Sequence, residues 1–146
     1  NTNLNGAYLS GAVFWKACMN NTLLEHADLQ MADMRYADLN GAHLYHASLR
    51  NGRLKGANLS GADLRQTSFT WADLRGANLS QAKLTRTIFS NANLSGTNLT
   101  EARNITNEQL AKARSLKNAI LMDGQVYNPA IHDEIARLRK SAGWND

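Results

Sequence analysis

The histidines of this chain are the residues whose types and spacing come closest to a chemical site. His26 and His46 lie twenty residues apart, and His43 lies near His46 in the sequence. Two or three imidazoles could contribute to a zinc site, but a structural zinc site needs four ligands, and no cysteine or converging carboxylate accompanies them. The sequence also lacks a spacing of nucleophile, base and oxyanion-stabilising groups typical of an enzyme. We therefore expect no metal site, no catalytic residue and no cofactor.

Basic residues give the strongest candidate for a binding surface, namely Arg35, Arg50, Arg53, Lys55 and Arg75. Arg35, Lys55 and Arg75 recur at intervals of twenty residues. If positions twenty apart lie one above another, these three cations form a column in which like charges repel. Asp33 and Asp73 would offset this charge only in part, so the pattern predicts a local positive patch, which is the best surface candidate for binding an acidic partner. The alternative is a solvated face whose charges are balanced by neighbouring groups.

Two aromatic residues extend this candidate surface. Trp15 falls in the same twenty-residue column as the cations, and Tyr36 lies twenty residues after Lys16. This spacing predicts an exposed aromatic cluster with a possible cation–π contact to Lys16. Exposed Trp and Tyr are enriched at protein interfaces, although they can equally cover neighbouring side chains. Trp71 stands apart from the cluster. The predicted partner is a protein that the sequence does not identify.

A five-residue repeat must position all of these side chains. Every fifth residue from Leu4 to Leu99 is Leu, Phe or Met, and the residue two before it is Ala in fourteen cases, Thr in five and Gly once, at Gly52. Positions five apart would scatter around a helix and would alternate between the faces of a strand. All these centres can share one interior only if the chain turns by a similar angle once per unit. The spacing therefore predicts a solenoid.

Longer-range similarity gives the number of units in one turn of the solenoid. Residues 56–75 match residues 76–95 at eleven of twenty positions. Residues stacked above one another share an environment, so twenty residues make one turn, and four units per turn imply a square cross-section. The repeat then forms about five coils, and a strand spacing of ~4.8 Å gives a rod about 24 Å long.

The units with the pattern Ala-(Asp/Asn)-Leu-x-Gly, clearest in Gly56 to Arg65 and Gly76 to Ser80, resemble those of the pentapeptide-repeat proteins over about two thirds of the chain. The resemblance implies an all-β solenoid, a right-handed quadrilateral β-helix whose centre and small residues point inward. It also implies a non-enzymatic scaffold, abundant in cyanobacteria and other bacteria, that binds another protein. The alternative within this family is a DNA mimic that binds topoisomerase (gyrase). A net charge of +4 and coils without interrupting loops argue against that alternative.

The predicted domains are the repeat, residues 1–101, and a C-terminal cap with two short helices, residues 102–146. Thr106 and Gln109 form a capping-box pattern that opens a helix over 108–113. Asn128 followed by Pro129 predicts a second helix that extends to about Lys140. These helices would cover the last coil, as solenoids require a polar cap. The alternative is a helix that forms a dimer.

The first coil places apolar groups in outward positions, at Tyr8, Val13, Trp15 and Cys18. An open β-edge with exposed apolar groups favours either an upstream segment that covers it or a second molecule. The predicted state is accordingly a monomer or a dimer through an end of the solenoid.

Composition bounds the remaining partners and the compartment. No apolar run approaches the ~20 residues of a membrane span, so we expect no membrane partner. The cations are not interleaved with aromatic residues, so we expect no nucleic acid. A single cysteine excludes an internal disulfide. The chain starts inside a repeat without Met, which leaves open the cytoplasm, or the periplasm or thylakoid lumen if a leader was removed upstream of Asn1.

Overall fold

The computed structural model describes residues 2–144, so the outermost ends of the two predicted domains, residue 1 and residues 145–146, lie outside the described residues. Parallel β-bridges join residues twenty apart, from Asn3 and Leu23 up to Lys83 and Arg103. The chain therefore completes one turn every twenty residues, as the internal repeat predicted. The paired residues are isolated bridges and not extended strands, because each straight segment is only a few residues long.

A corner follows each repeat centre. The residue two after the centre has a positive φ angle, from Gly6 at 66° to Glu101 at 58°. A backbone hydrogen bond closes each corner, as between Ala7 N and Leu4 O at 3.1 Å. A positive φ at the third residue of a tight turn is characteristic of a type II turn. The regular placement of this conformation makes the chain turn once per unit.

We number the four sides of the solenoid in chain order by their centres in the first coil. Side 1 contains Leu4, side 2 Leu9, side 3 Phe14 and side 4 Met19, and each later coil adds twenty to these numbers. On every side the residues just before and just after the centre point outward, and the corner residue comes next. Each outward position therefore forms a row along the rod with one residue per coil.

The repeat centres form the core. Leu44, Leu64 and Leu84 in the side 1 column are all 0% exposed. On side 2, Phe69 and Phe89 stack with ring centroids 5.7 Å apart. The centres of the first coil on sides 1 to 3 are only partly buried, because they have neighbours on one side alone.

Threonine fits the small inward position because its hydroxyl finds a partner there. Thr67 Oγ1 donates to Leu44 O, and Thr87 Oγ1 donates to Leu64 O, each at 2.7 Å. A buried hydroxyl without such an acceptor would be destabilising. Threonine can therefore replace alanine at this position, because its hydroxyl donates to the carbonyl of a repeat centre in the preceding coil.

Two α-helices follow the regular coils, α1 over Asn107–Ala111 and α2 over Asp133–Ser141. Bridges continue beyond residue 101 on side 1 through Arg103, on side 3 through Ser115 and on side 4 through Ile120. Helix α1 therefore takes the place of side 2 in this last turn. None of the helices found between residues 2 and 144 is long and apolar enough to cross a membrane.

Helix α1 begins with the predicted capping box, formed by Thr106 and Gln109. It ends at Ala111, two residues before the predicted end. The cause is that Lys112 O accepts from Asn91 N at 2.9 Å, which returns the chain to the coil. The side chain of Gln109 also donates from Nε2 to Leu84 O and to the carbonyl of Thr87, at 3.0 and 2.7 Å. One amide thus binds two carbonyls in the first corner of the fifth coil.

The predicted start of the second helix was wrong. The Asn128 side chain accepts from Ala130 N at 2.9 Å, and its carbonyl accepts from Ile131 N and His132 N. These bonds form a turn, so α2 starts only at Asp133. Ile131 lies in this turn and is 62% exposed.

Candidate interaction surface

Side 3 carries most of the predicted interaction residues in two outward rows. The row before the centre contains Val13, Asp33, Arg53, Asp73 and Asn93, and the row after it contains Trp15, Arg35, Lys55, Arg75 and Ser95. Parallel bridges join Asp33 to Arg53 and Arg53 to Asp73. The first row therefore alternates in charge, while the second row has three consecutive cations.

Two of these cations are held by a carboxylate in the same unit. Arg35 donates to Asp33 from Nε and Nη2 at 2.8 and 2.6 Å. Arg75 makes the same pair of bonds to Asp73, at 2.8 and 2.7 Å. We call this bidentate pair an Asp–Arg fork. The arginine in each fork lowers the pKa of its aspartate, and the aspartate raises the pKa of the arginine.

The unit between the two forks lacks a carboxylate. Arg53 and Lys55 occupy the positions that Asp and Arg occupy in the neighbouring coils. Arg53 Nη1 lies 3.4 Å from Asp33 Oδ2, and the charge of Lys55 contributes to the lowered pKa of Asp73. Side 3 thus holds four cations and two carboxylates in three successive coils, which leaves a net charge of +2 there.

The fifth cation of the predicted set does not lie on this side. Arg50 is an exposed residue at the edge of side 2, separated from Arg53 by the corner residue Asn51. The same corner row holds Trp71, one coil later, which is 53% exposed, and Met31, one coil earlier, which is 60% exposed. Trp71 is not among the surface residues predicted from the sequence, although the twenty-residue register already places it beside these arginines.

The two predicted aromatic residues are about half exposed and do different things. Lys16 Nζ lies 4.5 Å from the ring centroid of Trp15, which is the predicted cation–π contact. Tyr36 instead packs over Gly56, because a Cβ atom placed on Gly56 would lie 2.6 Å from Cδ1 and Cε1 of the ring. Tyr36 therefore covers the corner between sides 3 and 4, next to Lys55.

Three of the four histidines, His26, His43 and His46, lie around side 1. The rings of His26 and His46 stack with centroids 5.2 Å apart, and Tyr45 meets both edge-on at 5.7 and 4.8 Å. His43 Nδ1 is 3.8 Å from Glu25 Oε1. Between residues 2 and 144, no group of three or more His, Cys, Asp or Glu side chains could hold a metal ion. Tyr45 is not among the residues predicted from the sequence, although its place beside the histidines follows from the register.

The open end of the rod carries the predicted exposed apolar groups. Tyr8 is 92% exposed and Val13 is 75% exposed. Cys18 is a free, exposed thiol on the same coil. Within residues 2–144, these side chains occupy outward positions in a coil whose bridges all run to the second coil.

Twenty-residue coils, inward leucines and positive-φ corners define a quadrilateral β-helix built from five-residue units. The sequence model of the pentapeptide repeats matches this chain in eight copies, over residues 1–25, 27–66 and 67–103. The chain belongs to the pentapeptide repeat family, whose solved structures similar to it are right-handed β-helices. A search of curated protein sequences gives no match.

Three solved structures illustrate the similarity. A pentapeptide repeat protein from the thylakoid lumen of Arabidopsis thaliana is 26% identical with a TM-score of 0.73, over 92% of this chain and 90% of that one. HetL, a pentapeptide repeat protein involved in heterocyst differentiation regulation in Nostoc sp. strain PCC 7120, is 31% identical with a TM-score of 0.49, over 86% and 68%. QnrB1, a plasmid-mediated fluoroquinolone resistance protein, is 21% identical with a TM-score of 0.39, over 94% and 83%.

Proposed function

We propose that this protein is a non-enzymatic scaffold that binds an acidic segment of another protein on side 3. The observation that carries this proposal is the unit from Asn51 to Lys55, in which Arg53 and Lys55 replace an Asp–Arg fork. Because the forks above and below it already use their own carboxylates, the charge of this unit is balanced only in part. An acidic partner would complete the balance.

The rigidity of the rod supports a binding role. Backbone hydrogen bonds tie the central unit to the coils on both sides, as from Arg53 N to Ala32 O and from Leu54 N to Asp73 O, at 2.9 and 2.8 Å. The forks also fix Arg35 and Arg75 in one geometry. A surface that is ordered before binding loses less conformational entropy when a partner docks.

Exposed aromatic residues border the charged unit. Trp15 lies at one end of the cation row, Tyr36 lies on the next corner, and Trp71 lies on the corner between sides 2 and 3. Tryptophan, tyrosine and arginine are the residues most often found to dominate binding energy at protein interfaces. We therefore include Trp71 with the predicted surface residues.

The alternative function of a topoisomerase-binding DNA mimic is not favoured. A mimic of duplex DNA needs a continuous row of negative charges. Side 3 instead has a net charge of +2, and the whole chain has a net charge of +4. The structural similarity to QnrB1 is too distant to support a shared partner.

We also propose a state of assembly and a compartment for this protein. The exposed Tyr8 and Val13 support a dimer through the open end, and a monomer is the alternative. The Arabidopsis protein is found in the thylakoid lumen, which supports the lumen among the compartments considered for this chain.

A pull-down from a lysate of cells that contain the protein tests the proposed surface. The test variant is Arg53→Glu with Lys55→Glu, and the matched control is Arg103→Glu with Lys112→Glu, two exposed residues outside side 3, which changes the net charge equally. We expect the control to retain the proteins captured by the wild type and the test variant to lose them. If both variants capture the same proteins as the wild type, side 3 is not the binding surface.

A further inference from the structure

A concave site lies at the corner between sides 1 and 2, away from the proposed protein-binding side. It is a cavity of about 360 Å³ that is lined by Tyr45, Arg65, Gln66, Thr85 and Arg86. These residues come from three successive coils, so the backbone bridges of the rod fix their spacing. Neither the sequence patterns nor the comparisons with known proteins assign this cavity a role.

Arg65 is held in place on one wall of the cavity. It forms a third Asp–Arg fork, with bonds from Nε and Nη2 to Asp63 at 2.8 and 2.6 Å. Its guanidinium carbon lies 5.5 Å from the ring centroid of Tyr45. Since a guanidinium has five N–H donors and the fork uses two of them, Arg65 keeps donors for a further acceptor.

The tyrosine of the same wall is also fixed. The ring of His46 contacts Tyr45 edge-on, with centroids 4.8 Å apart, and His26 stacks on His46. Gln66 Nε2 donates to Tyr45 Oη at 3.4 Å. The wall is therefore ordered without any ligand, which lowers the entropic cost of binding one.

The charge around the cavity is positive. Its lining includes the guanidinium groups of Arg65 and Arg86 and no carboxylate. Asp63 lies next to the lining. Burial by itself would raise the pKa of Asp63, but the fork to Arg65 and the nearby charge of Lys83 lower it overall. The charge of Glu25 also acts on Arg65. The three cations Arg65, Lys83 and Arg86 thus outnumber two nearby carboxylates, and the hydroxyl and amide groups of the lining supply further donors.

We propose that this cavity binds a phosphate monoester group. Guanidinium groups recognise phosphate by paired hydrogen bonds, and a dianion can engage two of them at once, whereas one guanidinium can satisfy a carboxylate. Arg65 and Arg86 lie on adjacent coils, which ~4.8 Å separates. The phosphate can belong either to a small molecule or to a phosphorylated side chain of a protein.

Titrations followed by amide chemical shifts test the site. The probes are inorganic phosphate, with sodium chloride at equal ionic strength as the reference, and a phosphoserine peptide with its unphosphorylated form. We expect saturable shifts at Arg65, Gln66 and Arg86 with phosphate and none with chloride. Tighter binding of the phosphopeptide than of phosphate assigns the site to a protein partner, and equal or weaker binding assigns it to a small molecule.

Matched substitutions separate the cavity from general charge effects. Arg86→Gln removes one guanidinium and is tolerated at a corner, since Gln66 and Gln81 occupy corners with positive φ. Arg137→Gln makes the same charge change on α2, away from both proposed surfaces. We expect Arg86→Gln to weaken phosphate binding about tenfold or more and Arg137→Gln to leave it within about twofold. Equal effects of the two substitutions, or shifts that do not saturate, would overturn the proposal.

Discussion

The contact between Tyr36 and Gly56 permits a sharp test of the stacked coils. The two residues occupy the same corner row in adjacent coils, and both have positive φ, 59° and 68°. A methyl group on Gly56 would lie 2.6 Å from the Tyr36 ring. Gly61, the next corner of the chain, has a φ of 66° and nothing within 4 Å of such a methyl group. Alanine at these two sites therefore has the same backbone effect and a different effect on packing.

The expected losses in the free energy of unfolding follow from the backbone cost and the packing cost of alanine. Alanine in the left-handed region costs about 1–2 kcal/mol, and this cost applies to both glycines. At Gly56 the ring of Tyr36 must also rotate away, and such overpacking typically costs about 1–3 kcal/mol more. We therefore expect Gly56→Ala to lower the free energy of unfolding by about 2–5 kcal/mol, and Gly61→Ala by about 1–2 kcal/mol.

Urea unfolding followed by circular dichroism measures both changes, and a double-mutant cycle assigns the difference. In the background of Tyr36→Ala, the methyl group on Gly56 meets no ring, so the cost of Gly56→Ala should fall to that of Gly61→Ala. The coupling free energy between the two sites should then equal the packing term.

Two results would refute this reasoning. One is an equal loss of stability for Gly56→Ala and Gly61→Ala, within about 0.5 kcal/mol, the usual error of such comparisons. The other is an undiminished cost of Gly56→Ala after removal of the tyrosine ring. Either result would mean that Tyr36 does not lie over Gly56 in solution, and the proposed surface would lose its fixed aromatic border.

Three further predictions concern the core, the end of the rod and the forks. Leu59→Ala should lower the free energy of unfolding by about 2–5 kcal/mol, because Leu59 is 0% exposed. Leu4→Ala should lower it less, because Leu4 is only partly buried. Equal losses for the two variants in urea unfolding would contradict this prediction. Gln109→Ala should cost about 1–3 kcal/mol by the same measurement, since it leaves two carbonyls without their side-chain donor; an unchanged midpoint would show that water replaces it. Stability should also fall as the pH drops below about 4, because the pKa is lower in the folded chain than in the unfolded chain for the forked residues Asp33, Asp63 and Asp73. Urea midpoints between pH 7 and pH 3 should fall less steeply for Asp73→Asn than for the wild type.

The register of the repeat could be predicted from the sequence because only one geometry satisfies it. Leucines five apart share an interior only when the chain turns once per unit, and the bridges at twenty-residue intervals follow from that. The capping box of α1 was predictable for a similar reason, since Thr106 and Gln109 interact within a single turn of chain. Structural features that depend on a single register, or on a single local contact, can be predicted from the sequence alone.

The start of α2 could not be predicted, because two local signals compete there. Asn128 and Pro129 are typical of a helix start, but the Asn128 side chain and carbonyl together form a turn that continues to His132. The forks show a different limit. The sequence indicated that aspartates offset the cations of side 3, but whether Arg35 pairs with Asp33 or points to solvent depends on its rotamer.

In a regular solenoid the surface residues form rows with one residue per coil. The proposed sites lie where the residue types in these rows depart from the repeated pattern. Asp–Arg forks recur at residues 33 and 35, 63 and 65, and 73 and 75, each with its charge balanced within its own unit. Residues 53 and 55 are both cations where the coils on either side of them carry forks. The cavity at the corner between sides 1 and 2 forms where Arg86 lies beside the fork of Asp63 and Arg65. No carboxylate in the lining of the cavity pairs with Arg86. Since the repeat itself supplies rigidity and balanced charge, selective binding must come from such exceptions.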